Sequence, residues 1–229
     1  MATEPDNPAS VADEISKHLI SLRSANTDSI RTLRREYSKR LAKSPGCFVV
    51  QVARQLLSKK TETHRFVAYE LVNQHGSALA GLGEKELKQL GEGINSWSSV
   101  DMFGCFISGP AWREHQVEDK LIHSWARSKD RWWRRAALVS TVPLNSRARG
   151  GSGDTRRTLE ICELLVDDRD DMVVKALSWA LRELAKRDPA AVQRFLNENR
   201  QALAARVIRE VNNKLSTGLK NPRLKRTSA

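Results

Sequence analysis

Apolar residues recur at spacings of three and four along most of this chain, the period of an amphipathic helix. Val11, Ile15, Leu19 and Leu22 form one stripe over about 8–23, opened by Asn7-Pro8, a cap followed by proline at the first helical position. Ile30, Leu33, Tyr37 and Leu41 form a second over about 29–43, opened by Thr27-Asp28 and ended by Ser44-Pro45-Gly46. The pattern predicts further helices over about 48–58 and 62–74, and a short one over 82–90 that Gly91 and Gly93 break. Asn95-Ser96-Trp97-Ser98-Ser99-Val100-Asp101 reads as the start of a helix running to Ile107. Ser98 or Ser99 is the expected cap. If the helical turn takes in both Trp97 and Asp101, four apart, indole and carboxylate share one surface; otherwise Trp97 lies just outside the helix that carries Asp101. Ser108-Gly109-Pro110 reads as a turn, and a long helix follows to Ser128, with Val117, Leu121, Ile122 and Trp125 inward. Asp130 caps the next helix, over about 132–141. Pro143 to Asp154 reads as a flexible Gly/Arg loop that cannot be helical. Helices resume over about 156–166, 172–187, 189–198 and 201–215, followed by a basic tail, 216–229. No segment alternates like a strand, so the fold class is all-α.

Two of these helices resemble each other. Asp130-Arg131-Trp132-Trp133-Arg134-Arg135-Ala136-Ala137-Leu138 and Asp170-Asp171-Met172-Val173-Val174-Lys175-Ala176-Leu177-Ser178-Trp179 share an Asp cap, an apolar pair, a cation and then small and apolar residues. A period near 40 with this content is the mark of HEAT-type helical repeats. The expected architecture is one domain over 1–215, a right-handed solenoid of HEAT-like repeats with a concave basic groove.

Charge gives that groove a use. The 229 residues carry a formal net charge of +12, with arginines often in pairs, as at Arg34-Arg35, Arg134-Arg135 and Arg156-Arg157. So basic a chain points to a polyanionic partner, nucleic acid first. Cys47, Cys105 and Cys162 are isolated, which argues against a disulfide framework or a zinc finger and reads as three small buried apolar residues. The N-terminal stretch is polar and acidic, and no apolar run is long enough for a bilayer, so a cytoplasmic protein without a membrane partner is expected. Gly150-Gly151-Ser152-Gly153 lacks the lysine of a phosphate loop. The five histidines are scattered, so no metal site is expected.

Trp97, Asp101, the Trp132-Trp133-Arg134-Arg135 cluster and Trp179 remain. An aromatic face beside a fixed carboxylate suits a ligand in which positive charge develops. In Lys175-Ala176-Leu177-Ser178-Trp179-Ala180-Leu181-Arg182-Glu183-Leu184-Ala185-Lys186, in Trp132-Trp133-Arg134-Arg135-Ala136-Ala137 and in Ser96-Trp97-Ser98-Ser99-Val100-Asp101, the chain resembles the DNA alkylation-repair proteins of the AlkD-like type. These are HEAT-repeat alkylpurine DNA glycosylases, and the resemblance covers about Ala80 to Leu215. It implies Asp101 as the catalytic carboxylate and Trp97 and Trp179 as aromatic walls against the lesion-bearing nucleotide. It also implies Arg135 on the DNA backbone, with Arg134, Lys175 and Arg182 as further backbone contacts. It implies a monomer that needs no cofactor and acts on double-stranded DNA containing alkylated bases. Three features depart from the family pattern: the turn before the Arg-rich 29–43 helix, Ser96 where some members have a second tryptophan, and the 143–154 segment, which looks like an insertion. A non-catalytic HEAT-repeat binder of nucleic acid is the alternative, and a protein-binding solenoid a third.

Overall fold

A computed structural model describes residues 7–24 and 26–222, and all regular structure among them is helical. The chain divides into two compact units, Met1–Glu118 and Asp119–Ala229.

The first unit holds α1 (Pro8–Ser21), α2 (Thr27–Leu41), α3 (Gly46–Leu57), α4 (Glu62–Asn73), α5 (Gly76–Ala80), α6 (Glu84–Leu90), α7 (Trp97–Phe103) and α8 (Gly109–Arg113). The early helices begin where a side chain takes up an amide that the helix leaves unpaired. Asn7 Oδ1 accepts from the Ser10 amide at 2.8 Å, and Asn26 Oδ1 from the Ser29 amide at 2.9 Å. Helices pack on their next-but-one neighbours, α1 on α3 and α2 on α4. Val11, Ile15, Val49, Val52, Leu56, Val67 and Leu71 fill the core between them. Gly46 lets α5 approach α3, because a Cβ there would lie 2.4 Å from the Ser77 carbonyl oxygen. Two arginines of the basic α2 face inward to a buried carboxylate: Glu70 of α4 takes Arg31 Nε at 3.0 Å and Arg34 Nε at 2.9 Å.

The second unit holds α9 (Asp119–Ala126), α10 (Arg131–Ser140), α11 (Val142–Asn145), α12 (Thr155–Leu164), α13 (Asp171–Leu184), α14 (Pro189–Glu198) and α15 (Ala205–Thr217). Here α10 packs on α13, and α13 on α15. The two segments that resemble each other in sequence are therefore stacked neighbours. Each starts on an aspartate cap: Asp130 Oδ1 accepts from the Trp132 amide at 2.8 Å, and Asp170 Oδ1 from the Met172 amide at 2.9 Å.

Three expectations are corrected. Ser108-Gly109-Pro110 is not a turn, since the backbone stays helical from α7 through a π turn at 104–108 into α8. Pro110 has no N–H to give the ladder, the π turn before it accommodates that gap, and burial of Ile107, Gly109, Pro110, Ala111 and Trp112 holds the segment in place. The single helix expected up to Ser128 breaks after Arg113, where His115 adopts φ 57°. The Val117, Leu121, Ile122 and Trp125 stripe is buried as expected, but α9 starts only at Asp119.

The third correction concerns 143–154, which contains helical structure and is tied down. It holds most of α11 and a 3₁₀ turn at Arg147–Arg149, and Gly150 takes the left-handed conformation that ends the turn. Arg187 donates to the Asn145 carbonyl at 2.7 Å and to the Gly151 carbonyl at 2.6 Å. The Asn145 side chain donates to Thr158 Oγ1 at 2.9 Å and accepts from the Asp154 amide at 3.1 Å. Of the tail, Arg223, Lys225 and Arg226 lie outside the described residues.

Candidate functional site

The start of α7 is fixed by a reciprocal cap. Ser96 is the N-cap, and its Oγ accepts from the Ser99 amide at 3.1 Å. Ser99 Oγ in turn accepts from the Ser96 amide at 3.1 Å, so a serine fills the place that Glu or Gln holds in the usual capping box. This corrects the expected cap by two or three residues and decides between the two alternatives for Trp97, which is the first residue of the helix. Trp97 and Asp101 therefore stand one turn apart on the same helical face. Val100 and Phe103 bury the other face, leaving Asp101 half-buried and Trp97 61% exposed. Among the described residues, the other large hydrophobic side chains so exposed are Ile20 and Leu219.

Side chains of α4 brace the segment entering α7. Ser96 Oγ donates to Glu62 Oε1 at 2.6 Å. Arg65, itself buried, donates to the Glu92 carbonyl at 3.1 Å, the Gly93 carbonyl at 3.3 Å and the Tyr69 hydroxyl at 2.7 Å. Tyr69 then donates to the Leu90 carbonyl at 2.7 Å, and its burial pushes the phenol up to about 12. Sequence reasoning missed Glu62, Arg65 and Tyr69. Their only signal was polar residues at positions 62, 65 and 69, one face of a helix whose core stripe runs beside it.

The second unit carries the remaining candidates. Trp132 and Trp133 are both half-buried. Arg131 lies over the Trp132 ring at 5.1 Å, and Trp133 packs on Trp125 with centroids 4.9 Å apart. Trp112 and Trp125 are core residues, as expected. Arg134 donates from Nε to Asp168 Oδ2 at 2.7 Å and from Nη1 to the Ser128 and Lys129 carbonyls. Arg135 is 5% exposed and donates to the Met172 carbonyl, joining α10 to the first turn of α13.

On α13, Trp179 is half-buried at mid-helix, one turn beyond Lys175. The Lys175 side chain is 40% exposed, and its ammonium pairs with Asp171 Oδ2 at 2.6 Å. That ammonium holds the Asp171 carboxyl below the usual carboxylate range. Arg182, expected as a DNA-backbone contact, is instead turned into the fold. Its Nε donates to Ser178 Oγ at 3.2 Å, and Ser178 Oγ donates to the buried Glu210 at 2.6 Å. Burial pushes the Arg182 guanidinium down, with the Glu210 carboxylate opposing. Glu210 also escaped sequence reading, because a lone acid on the basic α15 looks like a surface residue.

The structure thus brings Trp97 and Asp101 together on α7, and Arg134, Arg135, Lys175, Trp179 and Arg182 together on α10 and α13. Of the cysteines, Cys105 and Cys162 are buried as expected, whereas Cys47, in the first turn of α3, is exposed. Among the described residues, no helix is long and apolar enough to cross a membrane.

Comparison with known proteins places the chain in a family. The model of a family described as DNA alkylation repair enzyme matches residues 9–215. No curated protein and no solved structure matches the chain. With nearly the whole length covered, the chain belongs to the DNA alkylation repair enzyme family.

Proposed function

We propose that this DNA alkylation repair enzyme is a monofunctional glycosylase that hydrolyses the N-glycosidic bond of cationic alkylated purines in duplex DNA. The observation that carries the reading is the start of α7, where a capped and braced helix presents an exposed indole one turn from a carboxylate. A 3-methyladenine or 7-methylguanine already bears positive charge, so it leaves without a general acid. Its departure puts oxocarbenium character on the deoxyribose. Asp101 stabilises that cation and orients the attacking water. Trp97 and Trp179 pack against the sugar and lesion and add cation–π attraction.

Lys175 is the cation of the second unit best placed to meet a phosphate. Its side chain is the most exposed of the four candidates, and a surface ion pair to Asp171 is exchanged at little cost. Arg134, Arg135 and Arg182 act at the backbone mainly by holding α10, α13 and α15 in register. The packing of α1 on α3 and α2 on α4, and of α10 on α13 and α13 on α15, supports reading the helices as stacked HEAT-like repeats.

The test is release of free base from methylated duplex DNA. The protein should liberate 3-methyladenine or 7-methylguanine and leave an uncleaved abasic strand, since the family resemblance implies no lysine nucleophile for a lyase step. Tight DNA binding with no base released above background would instead make this a non-catalytic binder.

A further inference from the structure

A cavity of about 1430 Å³ opens in the first unit beside the start of α7. Its walls are the first residues of α1, the last turns of α3, the turn into α4 and the segment 89–95. Two of its residues connect it to the candidate site: Asn95 precedes the N-cap of α7, and Glu62 accepts from the N-cap side chain.

Most lining residues carry polar side chains and only Pro8, Ala9 and Leu57 are hydrocarbon, although about half of the lining surface is carbon, much of it from the stems of the long polar side chains. Three cations line the cavity, Arg54, Lys60 and Arg65, against the two carboxylates Glu62 and Glu92. Arg65 is committed to main-chain carbonyls and Glu62 to Ser96. Arg54 and Lys60 form no ion pair among the described residues and are exposed. Lys60 stands at φ 57°, a backbone conformation in which glycine or asparagine is usual. The side-chain amides of Gln51, Gln55 and Gln89 are likewise unengaged among the described residues.

Uncommitted cations next to uncommitted amides are the two parts of a nucleic-acid contact: the cation takes phosphate, and the amide takes sugar or base edges. We propose that this cavity holds the stretch of DNA strand adjoining the nucleotide at Trp97. Arg54 and Lys60 bind its phosphodiester oxygens, and Gln51, Gln55 and Asn95 meet its sugar or base edges. The proposal rests on the DNA reading given above.

The experiment measures Kd for a methylated duplex oligonucleotide over a series of salt concentrations. Three proteins are compared: the natural chain, the Arg54→Ala/Lys60→Ala double variant and the Gln51→Ala/Gln55→Ala double variant. All four side chains are exposed, so the variants keep the fold. The charge variant should bind about tenfold more weakly, and its slope of log affinity against log salt should fall by about two. The amide variant should bind more weakly at an unchanged slope. A charge variant that keeps the natural slope, while the natural protein binds DNA and releases base, overturns this proposal alone. A natural protein that neither binds duplex nor releases base overturns the DNA reading with it. Capture of an acidic peptide that the charge variant loses, with DNA affinity unmoved, would assign the cavity to a protein partner and overturn the proposal.

Discussion

The start of α7 and the α10–α13 face carry the candidate residues in opposite ways. On α7 the backbone is held by capping and bracing bonds, while the indole of Trp97 stays exposed. On α10 and α13 the charged groups themselves do the holding. Arg134 joins Asp168 and two carbonyls, Arg135 joins Met172, and Arg182 joins the Ser178–Glu210 pair. Positive charge is therefore a poor guide to which side chains meet a ligand. A guanidinium has five donors in a rigid fork, which suits it to joining helix ends as well as to gripping phosphate. Under the proposed reading, the difference puts the carboxylate chemistry on α7 and gives the cations of the second unit mainly a positioning role, with Lys175 the exception.

Substitutions break or sharpen this contrast. The largest effect on stability is expected from Arg135→Ala, which leaves the Met172 carbonyl without its donor and empties a buried site. It should cost about 3 kcal/mol, read as a lowered denaturation midpoint. A variant of unchanged stability with weakened DNA binding would instead make Arg135 a direct phosphate contact. Trp97→Ala should do the reverse. Its stability should stay within about 0.5 kcal/mol because the ring is exposed, while base release drops about 10- to 100-fold. Ser96→Ala should cost about 1 kcal/mol through loss of the cap, and should slow base release by loosening the turn that presents Trp97. Lys175→Ala should change stability by only a few tenths of a kcal/mol and lower the salt slope of DNA binding by about one. A flat salt response in that variant would remove the exception.

Much of the fold was readable because the periodic stripes are long and their caps local. Asn7, Asp130 and Asp170 were read directly as starts, and each accepts an amide in its helix's first turn. What failed was punctuation. Ser108-Gly109-Pro110 has a turn's composition, but burial on every side keeps it helical. The 143–154 segment has a loop's composition, yet the distant Arg187 ties it down, and no local pattern announces that contact. Among four polar residues around Trp97, any could cap; Glu62, far along the chain, bonds the one that does. The candidate residues stood out by type and spacing. Their commitments did not, because whether an arginine faces solvent or a carbonyl is decided by tertiary packing. The same holds for Glu70 and Glu210, whose burial makes them internal anchors.

The central claim is that Asp101 performs chemistry on a platform others hold in place. The direct measurement compares single-turnover release of 3-methyladenine from methylated duplex DNA by the natural protein and by Asp101→Asn, with duplex affinity measured alongside. The amide keeps the shape and removes the charge. Release should fall by about a thousandfold while affinity stays within about twofold. Release at the natural rate, or equal loss of binding and release, would contradict the account.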